Sequence, residues 1–177
     1  MKFGGPAFLI DRSDINTDEI IPAKYLTEIT KLALKPHLLE DLHLFDTFFD
    51  PDSAELHAAT VLVTRSNFGC GSSREHAVWA LEVNNINVVI AESFARIFRQ
   101  NMFNCGILAI ELNGDDIEQI FNLQGDLQID VDLEKEIVTA TETGGEKRSI
   151  ESPFSINQFD SKLVQAGGWL AFADQNY

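Results

Sequence analysis

Residues 67–76 read N-F-G-C-G-S-S-R-E-H. Two neighbouring hydroxyls, Ser72 and Ser73, and a guanidinium, Arg74, follow a bend that carries glycine at positions 69 and 71. Glycine lets a backbone turn where a Cβ would clash. A β-branched stretch, Thr60–Thr64, comes before the bend, and an Ala/Trp/Leu/Val-rich stretch, Ala77–Val83, comes after it. The order read from this is strand, glycine turn, helix. Peptide N–H groups at a helix start are unpaired and carry partial positive charge. A guanidinium beside them offers a planar, permanently charged fork for a carboxylate or phosphate. These residues therefore suit capture of an anionic group with a hydroxyl at its side. They also have a purely structural reading. Ser72 and Glu75 spell S-x-x-E, a capping box that would engage the Ser72 oxygen with the Glu75 amide. The spacing fits neither G-x-x-x-x-G-K-S/T, nor G-x-G-x-x-G, nor G-x-S-x-G, so the pattern alone stops at anion binding.

The elements that must hold this bend belong to a chain of 177 residues. A chain of that size forms one domain and buries about 70% of its unfolded surface without staples. Its 13 basic and 28 acidic residues give a net charge of −15. That surface lacks the basic footprint of a nucleic-acid binder and is repelled by anionic membranes. An acidic substrate is repelled at long range as well, so an anion site must be local and rich in donors. Arg65, Arg74, Arg96 and Arg99 all lie in the middle third, whereas 111–151 holds twelve acidic and three basic residues. Cys70 and Cys105 are the two cysteines. Without a C-x-x-C they cannot by themselves hold zinc or an iron–sulfur cluster, and no metal site is expected in this chain. The N-terminal apolar stretch is too short for a secretory signal, and no run approaches the roughly 18 apolar residues of a membrane span. A reducing, cytoplasmic setting is expected.

Along the chain, Ala7–Ile10 is read as a first strand and Asp11–Asp18 as a polar loop. Residues 23–45, leucine-rich and broken at Pro36, read as short helices with a mobile connection. His57–Ser66 is read as a strand, the segment from Ala77 to about Asn84 as a helix, and Ile86–Ala91 as a strand buried on both faces. Ser93 is expected to cap a second helix whose Phe94, Ile97, Phe98 and Met102 form one apolar stripe. Gly106–Leu112 is a further buried strand, and Asn113–Asn122 a short helix. Leu127, Ile129, Val131 and Leu133 alternate with polar residues, as in a half-exposed strand. Lys135–Thr141 and Lys147–Ile150 form a hairpin. Ser155 is expected to cap a last helix with Ile156, Phe159 and Leu163 inward. Gly167-Gly168 ends it, leaving Trp169–Ala173 as a short apolar tail. The β-α-β-α-β pattern over 57–112 predicts parallel strands, and the later alternating strands predict an antiparallel flank. The fold class is α/β, a single domain over 1–177 with a mixed sheet or small barrel.

Three separated stretches carry a resemblance: D-I-N-T-D-E-I-I-P-A-K-Y-L from Asp14, N-F-G-C-G-S-S-R-E-H-A from Asn67, and A-E-S-F-A-R-I-F-R-Q-N from Ala91. Together they resemble the small-subunit family of the 3-isopropylmalate dehydratases, which is similar to the swivelling domain of aconitase. The resemblance runs from about Asp11 to Leu112; the last 60 or so residues match only loosely. It implies an aconitase-like swivelling domain. It also implies a hydro-lyase of leucine biosynthesis that moves the hydroxyl of 2-isopropylmalate to the neighbouring carbon by dehydration and rehydration. The cofactor implied is a [4Fe-4S] cluster carried by a larger partner subunit, where one iron acts as Lewis acid. The expected partners are that large cluster-bearing subunit and a small dicarboxylate substrate, with no nucleic acid and no membrane.

Carried over residue by residue, Ser72 matches the serine that serves as general base. Ser73 and Arg74 match the pair that holds a substrate carboxylate. Removing a proton beside a carboxylate builds charge on it, which a bidentate arginine and helix N–H groups stabilise. Thr17 and Asp18 match the T-D of the first loop, with Asp18 placed to orient Arg74 or a serine; a turn or cap is their structural alternative. Tyr25–Lys31 falls where the family has a flexible loop that meets the substrate's variable side chain. Lys24 and Lys31 are candidate carboxylate contacts there. Cys70 reads as a small buried residue, His76 as structural or touching the site, and Arg96 and Arg99 as partner-binding or solvent-facing. Two other readings stand beside this one. The chain would serve a related hydratase acting on homoaconitate, citraconate or dimethylmalate, or it would be a non-catalytic anion-binding assembly module.

Overall fold

This computed structural model describes residues 2–177. Its centre is β2 (Val61–Val63) and β3 (Val88–Ala91), in which every residue is fully buried. Strands covered on both faces read as unbroken apolar runs, and these two do. β1 (Gly4–Leu9) pairs in parallel with β2, β2 with β3, and β3 with β4 (Leu108–Glu111). The crossovers between them are α3 (Glu75–Val83) and α4 (Arg96–Asn104). The other edge of β1 pairs antiparallel with β5 (Leu127–Asp132), which continues into β6 (Ile137–Glu142) and β7 (Ser149–Pro153). The result is one seven-stranded mixed sheet in the order β4-β3-β2-β1-β5-β6-β7. The parallel core and antiparallel flank are as the sequence predicts, with β1 as the junction between them.

Two short helices precede this core, α1 (Thr17–Ile20) and α2 (Ala54–Ala58), and α5 (Gly114–Phe121) follows β4. The chain closes with α6 (Gln158–Ala166) and α7 (Trp169–Asn176), both packed on α4. Residues 23–45 form two 3₁₀ segments, Ala23–Tyr25 and Lys31–His37, the second enclosing Pro36. Buried Leu34, Leu38, Leu39 and Leu42 hold this segment down. The Tyr25 hydroxyl donates to Glu40 at 2.9 Å, and the Tyr25 ring stacks on His37 with centroids 3.8 Å apart. No helix among the described residues is long and apolar enough to cross a membrane.

Several local expectations are corrected. His57 lies in α2, because the Ser53 side chain accepts from the Leu56 amide and starts a helical turn before β2. Ser93 is not a cap: its oxygen is taken by the Asn67 amide at 2.8 Å, and α4 starts later, with Ala95 at the N-cap and no side-chain cap bond. Ile97 leaves the apolar stripe and is 58% exposed, while Phe98, Met102 and Phe103 are buried. Asn157 rather than Ser155 caps α6, accepting from the Asp160 amide at 2.8 Å, and Phe159 faces outward. The supposed tail is a helix, α7, which begins immediately after left-handed Gly167 ends α6.

The tip of the β6–β7 hairpin is fastened by a buried carboxylate. Glu142 accepts from Arg148 Nε at 2.8 Å, and this partner chiefly holds its carboxyl below the ordinary 4.5. A carboxyl lowered by folding adds stability above its unfolded value, and that stability disappears as pH falls through the folded value. The urea midpoint is therefore expected to drop between pH 6 and about pH 3, and Glu142→Gln is expected to flatten part of that fall. An identical pH slope in the variant would show that the pair does not contribute.

Candidate active site

Parallel pairing puts the carboxyl ends of β1, β2 and β3 along one edge of the sheet, which is where open α/β sheets place their ligands. The loop from Ile10 to Asn16, the glycine bend and the Glu92–Ala95 connection leave from those ends. Backbone bonds join the three. The Gly69 amide donates to the Ile15 carbonyl at 2.8 Å, and the Thr17 amide to the Cys70 carbonyl at 2.9 Å. On the other side the Phe68 amide donates to Ser93 at 3.1 Å, and the Ala95 amide to Phe68 at 3.0 Å. Two isolated parallel bridges, Asn16 with Cys70 and Phe68 with Phe94, mark the same junctions.

The bend needs its first glycine twice over. Gly69 has φ +81, and a Cβ built on it would stand 2.3 Å from the Phe98 ring. Gly71 has φ +92 and sits against Thr17. Thr17 is buried, and its hydroxyl donates to the Ser72 carbonyl at 3.0 Å, fixing the peptide that carries the first serine.

Helix α3 begins at Glu75 with Arg74 at its N-cap and no side-chain cap bond. The capping-box reading is therefore corrected: neither Ser72 nor Ser73 serves as the cap. The two serines lie ahead of the helix start, both exposed and both with hydroxyls that have no hydrogen-bond partner among the described residues. They open onto a cleft of about 710 Å³. Gly69, Gly71, Ser72 and Ser73 line one side of it, and Ala95, Arg96, Ile97, Phe98, Gln100 and Asn101 the other.

Arg74 does not line that cleft. Its Nη1 donates to Asp18, at the start of α1, so Thr17 and Asp18 grip the bend at two points, one through a peptide and one through a charge. Lys31 is placed elsewhere. Its Nζ is 2.7 Å from Glu82 Oε2 and 5.7 Å over the Trp79 ring. Glu82 lies eight positions beyond Arg74, roughly 12 Å along a helix axis. Lys24 sits 5.2 Å from the centroid of the Tyr25 ring. His76 Nε2 donates to the Glu28 carbonyl at 3.1 Å, tying the 25–31 segment to the first turn of α3. The structure thus gathers Thr17, Asp18, Ser72, Ser73 and Arg74, and leaves Lys31 apart. It also brings Arg96 to the cleft, a residue whose place the sequence left open.

Both thiols are held neutral. Burial, helped by Asp14, raises Cys70 above 9.0, and burial, helped by Glu82, pushes Cys105 up to about 11. Among the described residues no group of three or more His, Cys, Asp or Glu side chains is placed to hold a metal ion. Two thiols are too few to hold a [4Fe-4S] cluster, which needs a set of thiolates.

Residues 5–115 match the aconitase C-terminal domain, and the sheet, the bend and the cleft described above all lie within or beside that span. The chain is 40% identical over 145 residues to the 3-isopropylmalate dehydratase small subunit of Leptospira interrogans, covering 76% of this chain and 70% of that one. It is 40% identical over 162 residues to the protein of the same name from Deinococcus deserti, covering 91% and 81%. A crystal structure of a 3-isopropylmalate dehydratase from Methanocaldococcus jannaschii aligns with a TM-score of 0.75 at 29% identity, over 99% of this chain and 95% of that one. The chain belongs to the 3-isopropylmalate dehydratase small-subunit family, within the aconitase C-terminal domain class.

Two outcomes are expected. Gly69→Ala meets both a positive φ and the Phe98 ring, so it is expected to cost about 2–4 kcal/mol in chemical denaturation. A loss below about 1 kcal/mol would show that the bend relaxes freely. Cys105 is expected to alkylate at pH 8 about 100-fold more slowly than a free thiol, because its thiolate fraction is that much smaller. Mass spectrometry of a labelling time course reads this directly.

Proposed function

We propose that this chain is the proton-transfer half of an enzyme that interconverts 2-isopropylmalate and 3-isopropylmalate in leucine biosynthesis. The observation that carries this reading is the pair of uncapped serine hydroxyls, delivered by a rigid two-glycine bend to an open cleft at the carboxyl edge of the sheet. The family to which the chain belongs supports the reaction class. In the forward direction Ser72, acting as an alkoxide, takes the proton from the carbon beside a carboxylate. The electrons of that C–H bond become the new double bond, and the hydroxyl on the neighbouring carbon leaves with its bonding electrons, takes a proton from an acid of the partner subunit and departs as water. Rehydration reverses the step with the hydroxyl on the other carbon. Ser73 holds the carboxylate on which charge builds, with Arg74 behind it sharing its charge with Asp18, so the transition state is stabilised more than the ground state. Asp18 and Thr17 position this group through Arg74 and the Ser72 peptide. The 25–31 segment, held against α3 by His76, is the part of the chain we assign to the substrate's side chain.

A serine hydroxyl is too weakly acidic to ionise unaided, and two cysteines are too few to ligate a cluster. We therefore assign the departure of the hydroxyl to a large subunit that carries the [4Fe-4S] cluster and closes the open side of the cleft. The whole 1–177 chain acts as one swivel-type unit against it.

The purified chain is expected to show no isomerase activity alone and to gain it on mixing with the large subunit. Ser72→Ala is expected to lower kcat by about 10²–10⁴-fold while the two subunits still co-sediment. A near-normal rate in that variant would remove Ser72 as the base. Turnover by the lone chain would remove the need for a partner.

A further inference from the structure

The chain carries four arginines in its middle third, and three are engaged. Arg65 binds Asp11 and Glu118, Arg74 binds Asp18, and Arg99 lies 3.9 Å from Glu111 and over the Phe103 ring. Arg96 is the exception. It opens α4, it is exposed, and among the described residues no carboxylate or hydrogen-bond acceptor holds its guanidinium. In a chain of net charge −15, an arginine free of carboxylates is placed where its charge is uncompensated. That place is the wall of the cleft facing Ser72 and Ser73.

The arginine that lines the cleft is therefore Arg96, while Arg74, beside the serines in sequence, is turned onto Asp18. A diacid presents two carboxylates, and an Arg74–Asp18 pair supplies no net positive charge to the second one. The cleft's volume of about 710 Å³ suits a small molecule. Asn101 and Gln100 add amide groups on the same wall as Arg96. The two walls approach a ligand from separate elements, the bend on one side and the start of α4 on the other. That arrangement can read the separation between two carboxylates rather than the presence of one.

We propose that Arg96 binds the second carboxylate of the diacid substrate, the one not held by Ser73 and Arg74. The inference rests on the reading of this cleft as a diacid hydro-lyase site and names the residue that makes it select dianions.

The test uses the complex reconstituted with the large subunit, comparing wild type, Arg96→Gln and Arg96→Lys. Arg96 is exposed, so both variants are expected to fold, and circular dichroism confirms it. Arg96→Gln is expected to raise KM for 2-isopropylmalate about 10–100-fold, the loss of a charge-assisted hydrogen bond, with kcat within about threefold and co-sedimentation unchanged. Arg96→Lys is expected to recover part of KM. The preference for a dicarboxylate inhibitor over its monocarboxylate analogue is expected to collapse in Arg96→Gln. An unchanged KM overturns the proposal. So does a KM rise that comes with weakened co-sedimentation, which would make Arg96 a docking residue for the partner. If the wild-type complex does not turn over 2-isopropylmalate, the functional reading fails. Calorimetry with succinate and butyrate then still decides Arg96: a dianion preference lost in Arg96→Gln supports it, and an equal preference in both proteins overturns it.

Discussion

The contact that organises this molecule is the one between the backbone of Gly69 and the ring of Phe98. A turn that follows a fully buried strand is pressed against the first turn of the next crossover helix, with no room for a Cβ between them. The ring cannot move aside, because Phe98 is buried and packs edge-on against Phe68, with centroids 5.5 Å apart. Docking of the bend onto α4 turns two loops that are distant in sequence into the two walls of one cleft. Ser72 and Ser73 leave one wall and Arg96 the other, and their separation is set by a packed core rather than by flexible loop chemistry.

Electrostatics then divides the work between two arginines. The acidic surface repels an acidic ligand at range, so recognition has to happen at short distance, where fixed donors outweigh the distant field. Arg74, tied to Asp18 with a side chain that is largely covered, is held in one orientation but largely neutralised. Arg96 retains its charge without an internal partner. In the proposed site one arginine supplies direction and the other supplies attraction.

Much of this was legible in the residues themselves. The strands β2, β3 and β4 are apolar runs of the length that two-sided burial demands, and Leu127–Asp132 alternates as a one-sided strand does. The strand–turn–helix order around the two glycines was legible for the same reason: few other residues tolerate those angles. Helix starts were harder. A serine before an apolar run can cap a helix or serve something else, and Ser72, Ser93 and Ser155 each looked like a cap. Tertiary partners decided otherwise: the Asn67 amide took Ser93, Asn157 outcompeted Ser155, and Ser72 stayed free before Arg74. Lys31 lay close in sequence to the first loop, but an ion pair with Glu82 drew it along α3, and ion pairs across elements leave no local signal. The role of β1 as a junction was equally hidden, because a strand's partners are not written in its own period.

The three loops around the cleft are joined mainly through peptide groups: Asp14 to Ser66, Thr17 to Cys70, Gly69 to Ile15, Phe68 to Ser93 and Ala95 to Phe68. Such a scaffold depends on side-chain identity at few points, the missing Cβ of Gly69 and the Thr17 hydroxyl among them. The side chain of Ala95, which lines the cleft, can be exchanged while the serines stay where they are. What cannot be introduced is an imino acid at any of those donor positions, since each would delete a stitch in the seam. Side chains at the rim of the cleft can therefore vary around a fixed bend, with the main chain as the constant part.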